Sequence, residues 1–460
     1  MASGAEGAAG TPGPGPARGT GGAAGDGPAA DPDALLRSRG YLGLLVCAVL
    51  LGVPVSAAAF GYLALTAKLE PLLYHDLPRS LGFGATPSWW PLPLLAVGGL
   101  LTALFVRHLP GHGGHEPTDG FSARGTPGLA ALPGVLLAAL ATLAFGAVLG
   151  PEAPLIALGG GLAAGSVRLL RPGLPERTYA VLGATGSFAA VSSLLGSPLL
   201  GAFLLMEAAG LGGPMLGPVL VPGLLASGVG ALIFVGMGSW TGLGTYSLKL
   251  PHVPRADDPT AAEFGWALLI GLAAALLAAG IMWLARRLRH RVEGRRLPLT
   301  VLLGLVVAGL AVAYAQGSDK SATEVLYSGQ DSMGPLLADA ATYSTGTLLL
   351  LLACKALAYA ASLSAFRGGP IFPSLFVGAA GGVLMSHLPG LPLVAGFATG
   401  MGAMAVAVLR LPLTSVLLAT LLLGREGLTV MPLVIVAVVA SYVATAVLAR
   451  PPRPPHGHLP

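Results

Sequence analysis

The sequence predicts an all-α protein that crosses a lipid bilayer many times, and three observations carry that prediction. Of 460 residues, 54% are hydrophobic and only 10% are charged, against about 25% charged in a soluble domain. That is too little charge to cover a water-facing surface of this size. The apolar stretches then follow one another almost without break from Leu42 to Leu448. Finally, 69 glycines and 39 prolines suit helices that pack closely and are interrupted at membrane depth. The expected organisation is one membrane domain over 39–449, flanked by a Gly/Ala/Pro-rich tail over 1–38 and a Pro-rich tail over 450–460.

Spanning the hydrocarbon takes about 20 apolar residues in a helix. Runs of that length lie near 41–66, 88–107, 128–149, 214–237, 263–286, 298–316, 344–365 and 428–449. Shorter runs, or runs broken by Gly and Pro, lie near 154–170, 178–195, 197–212, 371–386, 391–409 and 411–424. Broken helices paired between two halves of a chain mark a midplane ion or substrate site. A faint internal echo fits that pattern: Ser197-Pro198-Leu199-Leu200-Gly201 opens a short apolar helix in the first half, and Leu411-Pro412-Leu413-Thr414-Ser415 does so in the second.

The N-terminal tail cannot bury enough apolar surface to offset its ordering entropy and is expected to be disordered. It lacks the basic start and apolar stretch of a signal peptide. The net charge of +5 raises the question of nucleic acid, but the basic residues lie between apolar runs, most densely over Arg286–Arg296. Positive loops stay on the cytoplasmic side. This segment is therefore expected to be a solvated cytoplasmic loop, with the bilayer and not nucleic acid as the partner. The N-terminus is placed in the cytoplasm and the chain in the plasma (inner) membrane. Cys47 and Cys354 fall inside apolar runs without metal-type spacing and are expected to be buried thiols outside any disulfide framework.

The segment Gly150-Pro151-Glu152-Ala153-Pro154 carries the first chemical signal. Pro154 suits a helix start, which sets Glu152 at a helix N-terminus where free N–H groups and the dipole favour negative charge. An anion would seek the same place, so Glu152 can act as a tethered competitor: ionised it fills the site, protonated or displaced it opens it. The bland reading is a helix-capping carboxylate, but a carboxylate this deep in an apolar stretch is costly and marks function. Gly368-Gly369-Pro370-Ile371-Phe372-Pro373 then opens a second short helix, whose N-terminus can meet the first and form an anion site without any lysine or arginine; alone it reads equally as a Gly-Pro turn. Gly111-His112-Gly113-Gly114-His115-Glu116-Pro117 reads as a pore-mouth loop presenting backbone N–H groups. Its two histidines lack a third or fourth metal ligand, so no metal and no other cofactor is expected. Glu207 and Lys355 are the remaining charges inside apolar runs. Glu207 is a candidate proton-pathway group or an ion-pair member, and Lys355 reads as structural.

Taken together, these motifs resemble the CLC family of chloride channels and chloride/proton exchangers over roughly 41–449, as a divergent bacterial-type member without appended CBS domains. Gly150-Pro151-Glu152-Ala153-Pro154 looks like the family's Gly-Arg/Lys-Glu-Gly-Pro motif, with Glu152 on its gating glutamate. Gly369-Pro370-Ile371-Phe372-Pro373 looks like Gly-x-Phe-x-Pro, and Gly113 to Pro117 occupies the place of Gly-Ser-Gly-Ile-Pro. Ser197 to Gly201, Gly400-Met401-Gly402-Ala403 and Arg410 to Thr414 add support. The resemblance implies inverted repeats of many tilted and broken helices, and a homodimer joined through helices near 197–237 and 411–449. It also implies a separate pathway in each protomer, with Gly114, His115, Ala153, Ile371 and Phe372 at the anion and no cofactor. Departures follow residue by residue. The inner coordinating serine falls on Gly114, the motif phenylalanine falls on Ile371, and Pro370 removes a backbone donor. The coordinating tyrosine belongs to a last helix expected to be missing beyond Tyr442, and the exchangers' inner relay glutamate falls on Ala208, beside Glu207. One residue on a helix turns a side chain by about 100°.

The leading expectation is therefore a voltage- or pH-gated chloride channel with Glu152 as its gate. The alternative is a proton-coupled chloride or fluoride exchanger using Glu152 and Glu207. A membrane-embedded enzyme is disfavoured by the absence of any Ser/His/Asp constellation, H-E-x-x-H or paired aspartates within the apolar runs. A non-conducting relative is disfavoured by the retention of Glu152 with its flanking helix starts.

Overall fold

The structure, a computed structural model, describes residues 37–121, 126–192, 194, 195, 197–210, 216–248, 250 and 252–449. The expected tails, 1–38 up to residue 36 and 450–460, lie outside the described residues, as do residues 193, 196 and 211–215 at the ends of expected runs. Among the described residues the chain is helical throughout. α1 (Arg39–Pro71) continues through a π-helical turn at Leu72–Asp76 into one last turn, Leu77–Ser80. There follow α2 (Pro91–His108), α3 (Leu132–Ala144), α4 (Glu152–Leu170), α5 (Glu176–Val191), α6 (Pro198–Ala208) and α7 (Leu216–Thr241). The second half comprises α8 (Ala261–Gly294), α9 (Arg296–Ser318), the short α10 (Met333–Ala338), α11 (Thr345–Ala365), α12 (Ile371–Ser386), α13 (Leu393–Leu409), α14 (Pro412–Leu422) and α15 (Gly424–Leu448).

Eight of these, among the described residues, are long and apolar enough to cross a bilayer. They differ in position. In α11, 72% of the most apolar stretch is buried, against 28% in α1, so α11 is central and α1 peripheral. Burial is unbroken over 358–380 and again over 394–409, so the end of α11, the start of α12 and all of α13 form the centre of the protein. Glycine sets how closely this centre packs. A Cβ at Gly159 would overlap the Gly186 carbonyl of α5, and one at Gly378 would overlap the Gly400 carbonyl of α13. The α4–α5 crossing in the first half is thus matched by the α12–α13 crossing in the second, each closing backbone on backbone as small residues allow.

Four expectations need correction. The run 128–149 is not one helix: a 3₁₀ turn at Leu129–Ala131 leads into α3, which stops at Ala144, because Gly146 turns the chain at φ 94°. Conversely, α4 is continuous over 19 residues and long enough to span; its glycines do not break the helix but lie in close contacts, Gly159 and Gly160 against α5 and Gly161 and Gly165 against Leu132 and Leu129. The basic run Arg286–Arg296 is not a loop; it is the last turns of α8, and only Arg295 separates α8 from α9. Cys354 is buried, but Cys47 is exposed on peripheral α1.

Lys355 lies wholly buried on α11. An ammonium has three N–H donors, and all are used: Nζ donates to the carbonyls of Glu324, Leu326 and Tyr327 at 3.0, 2.8 and 3.1 Å, with the Phe376 ring 4.7 Å away. The Glu324 carboxylate accepts from the hydroxyls of Tyr314 (2.5 Å) and Tyr343 (3.1 Å). This cation holds the turn between α9 and α10 onto the central helix. Lys355→Met should orphan the three carbonyls and destabilise the protein by about 3 kcal/mol, measured as a lower midpoint for thermal loss of the monodisperse species in detergent.

Candidate anion site

Two helices end at membrane depth and two begin there. α3 stops at Ala144 and α4 starts at Glu152; α11 stops at Ala365 and α12 starts at Ile371. The intervening strands of irregular backbone are buried, so their polar groups must find partners in the protein. They find them in each other. Gly150 N–H donates to the Gly369 carbonyl at 2.8 Å and Gly369 N–H donates to the Gly150 carbonyl at 2.7 Å, forming an isolated antiparallel bridge. Val148 N–H donates to Ser362 Oγ (3.0 Å), Arg367 N–H to Thr142 Oγ1 (3.1 Å), and the hydroxyls of Tyr74 and Tyr359 to the carbonyls of Phe145 and Pro370 (both 2.9 Å). The two halves are thereby stitched together where the helices are broken.

Glu152 sits inside this frame. It is fully buried, and its Oε1 accepts from the Ile371 N–H at 2.5 Å, one residue before Phe372. The side chain leaves its own helix and occupies the N-terminus of α12, where peptide N–H groups and the helix dipole attract negative charge. Its Oε2 has no hydrogen-bond partner among the described residues. Glycine on either side leaves room for it in this position, since a Cβ at Gly150 or at Gly369 would overlap the Glu152 carboxyl group.

At the start of α4, reaching Ala153 beside Glu152, lies a cavity of about 320 Å³, whose lining includes Gly114, His115, Arg367 and Pro370. The structure therefore brings Gly114, His115 and Ala153 to one cavity, and Ile371 and Phe372 to the adjoining carboxylate. The loop at 111–117 contributes differently from the expectation. Gly114 N–H donates to the Gly111 carbonyl at 2.8 Å, closing a turn of the loop, and the His115 Nε2 lies 2.9 Å from the Gly120 carbonyl. Glu207 is placed elsewhere. Its carboxylate accepts from the backbone N–H groups of Leu413 (3.0 Å) and Thr414 (2.8 Å) and from the Thr414 hydroxyl (2.6 Å). It caps the N-terminus of α14 from the end of α6 and so joins the two Pro-Leu helices that echo each other in sequence. Among the described residues no group of three or more His, Cys, Asp or Glu could hold a metal ion.

Arg367, missing from the sequence reading of this site, is its one buried basic side chain, 4% exposed. Its position immediately before Gly368-Gly369-Pro370 was a visible signal. Its partner is Glu116, whose Oε1 accepts from Arg367 Nη2 at 2.8 Å and lies 3.5 Å from Arg296 Nη2. Arg289 Nε stands 2.5 Å from Glu116 Oε2, without the alignment of a hydrogen bond, and also binds Glu293 and Asp119. Part of the basic run at the end of α8 is thus locked onto the 111–119 loop.

A buried carboxylate resting on the N-terminus of a second broken helix, with a cavity at the start of its own helix, is the centre of a protein with eight helices, among the described residues, long and apolar enough to cross a bilayer. Residues 94–445 match the voltage gated chloride channel family, and the chain belongs to it. It is 27% identical over 438 residues to the "Putative ion-transport protein YfeO" of Escherichia coli (strain 55989 / EAEC), covering 92% of this chain and 99% of that protein. Among solved structures, a slow cyanobacterial Cl⁻/H⁺ antiporter superposes with a TM-score of 0.68 at 17% identity, covering 88% of this chain and 94% of that one. A CLC-type fluoride/proton antiporter gives 0.64 at 18% identity, covering 88% and 96%. These likenesses place the fold in the CLC class.

The cradle around the carboxylate leads to a stability test. Gly369→Ala should cost about 1–3 kcal/mol through overpacking. Combining it with Glu152→Ala, which empties the space, should recover most of the loss, as read from denaturation midpoints of the two single variants and the pair.

Proposed function

We propose that the protein carries chloride or a similar small anion across the membrane, and that Glu152 is its gate. The observation that supports this most directly is the Glu152 carboxylate on the Ile371 N–H, with its second oxygen bare. An ionised carboxylate there is a tethered stand-in for the transported anion. A proton, or displacement by an incoming anion, releases the α12 N-terminus. Gly114, His115, Ala153, Ile371 and Phe372 line the path on this reading, and no cofactor is required.

A pH-gated channel is the preferred mode. The engagement of Glu207 with three donors on α14 favours a structural role for it, which leaves no inner proton relay in this reading. Coupled exchange is the second reading, supported by the capacity of Glu152 itself to take up a proton. The functional unit is a homodimer through the outer faces of α6, α7, α14 and α15, where Leu199, Leu232, Leu413, Ile435 and Val439 are exposed. The cytoplasmic face is the one bearing Arg289, Arg296 and the 111–119 loop. α1 crosses away from this face and α2 returns to it, so the N-terminus is cytoplasmic too, in the plasma (inner) membrane.

Anion efflux from proteoliposomes, with internal pH recorded, tests the proposal. Wild-type chloride efflux should rise as pH falls without proton counter-flow. Glu152→Ala should raise efflux several-fold and remove its pH dependence. Proton movement opposed to chloride and lost in Glu152→Ala would establish exchange instead, and absence of flux in both proteins would overturn anion transport. Glu207→Gln should leave efflux and any proton signal unchanged while lowering stability by about 1–2 kcal/mol, as for loss of a helix cap.

A further inference from the structure

The cavity at the start of α4 ends at a cation whose hydrogen bonding is incomplete. Arg367 stands between two cavities: the one of about 320 Å³ that holds Gly114, His115 and Ala153, and a second of about 580 Å³ that also exposes Arg107, Arg295 and Arg296. Of its donors, Nη2 goes to Glu116 at 2.8 Å and Nη1 to the Phe366 carbonyl at 3.3 Å. Nε is buried and has no partner among the described residues. An unsatisfied N–H on a buried guanidinium is costly and calls for an acceptor. Glu116 does not fully neutralise this charge, because it is shared with Arg289 and Arg296. Gly113 packs against Nε, and a Cβ there would crowd that atom at 3.0 Å.

We infer that Arg367 is an inner binding site for the anion, its Nε–H donating to one small monovalent anion as it passes between the two cavities toward the N-terminus of α12. This rests on the anion-transport reading above. It supplies by a charged side chain what the missing hydroxyl at Gly114 does not. With both Nη atoms already engaged by Glu116 and the Phe366 carbonyl, the Nε donor suits a halide-sized ion better than a planar oxyanion, which would want both arms of the guanidinium fork. Glu116 competes for the same fork and so sets how tightly the anion is held.

The test uses the full chain and chloride as the probe: calorimetric binding in detergent, and efflux against internal chloride concentration in proteoliposomes. Arg367→Gln should weaken chloride binding by about tenfold or more, the loss of a charged hydrogen bond. Arg367→Lys should weaken it less. Glu116→Gln should tighten it, since the guanidinium then faces no competing charge. Opposite signs for the two neutralised partners are not produced by damage to packing. Should Arg367→Gln not fold, Glu116→Gln decides: tighter binding supports the site, and unchanged or weaker binding overturns it. Wild-type efflux with chloride affinity indifferent to both substitutions would overturn the Arg367 site and leave anion transport standing. Arg367-dependent chloride binding without any efflux would do the reverse.

Discussion

The reciprocal hydrogen bonds between Gly150 and Gly369 are the constraint on which the remainder of this structure depends. Two helices begin in the buried centre of the protein, and each beginning leaves backbone groups that water does not reach. Pairing the two loops with each other solves both halves of that problem at once. It also fixes the distance between the helix starts, since neither loop can shift without exposing the groups of the other. Ser362, Thr142 and Tyr359 complete the accounting from neighbouring helices.

The same economy governs the charges. Lys355 is buried against three carbonyls and an aromatic ring, so its role is to fold a loop back onto the central helix. Glu207 ties the end of one short helix to the start of another. Glu116 gathers Arg289, Arg296 and Arg367 beneath the cavity. Lys355 and Glu207 are fully engaged, whereas Glu152 Oε2, Glu116 Oε2 and Arg367 Nε are buried without hydrogen-bond partners among the described residues.

Much of this was legible from the chain alone, because the signals were local. Long apolar runs forecast most of the spanning helices, and Pro-Glu-Ala-Pro and Gly-Gly-Pro-Ile-Phe-Pro forecast the two buried helix starts that the structure brings together. What was not legible depended on partners far away in sequence. The run 128–149 looks uniformly apolar, and Gly146, which turns the chain after Ala144, gains its meaning from the pairing of Gly150 with Gly369. Glu207 reads as a lone membrane carboxylate until Thr414 is found across from it. Arg367 was overlooked although it abuts the second motif, because helix ends alone suffice in principle to hold an anion and Glu116 lies 251 residues away. The glycines told only that something lay close, not that at Gly150 and Gly369 it was a carboxyl group.

With its backbone paired on both sides, the frame leaves the proposed gate as a single side chain of three torsion angles. A transition confined to it belongs with rotamer changes and not with the slower displacement of whole helices. No large rearrangement has to be stored in the packing, and tight glycine crossings that would resist such a rearrangement carry no penalty here. On the proposed gating, stiffness and passage are therefore compatible: the more firmly the two halves are locked, the more cleanly a single carboxylate would define the state of the whole.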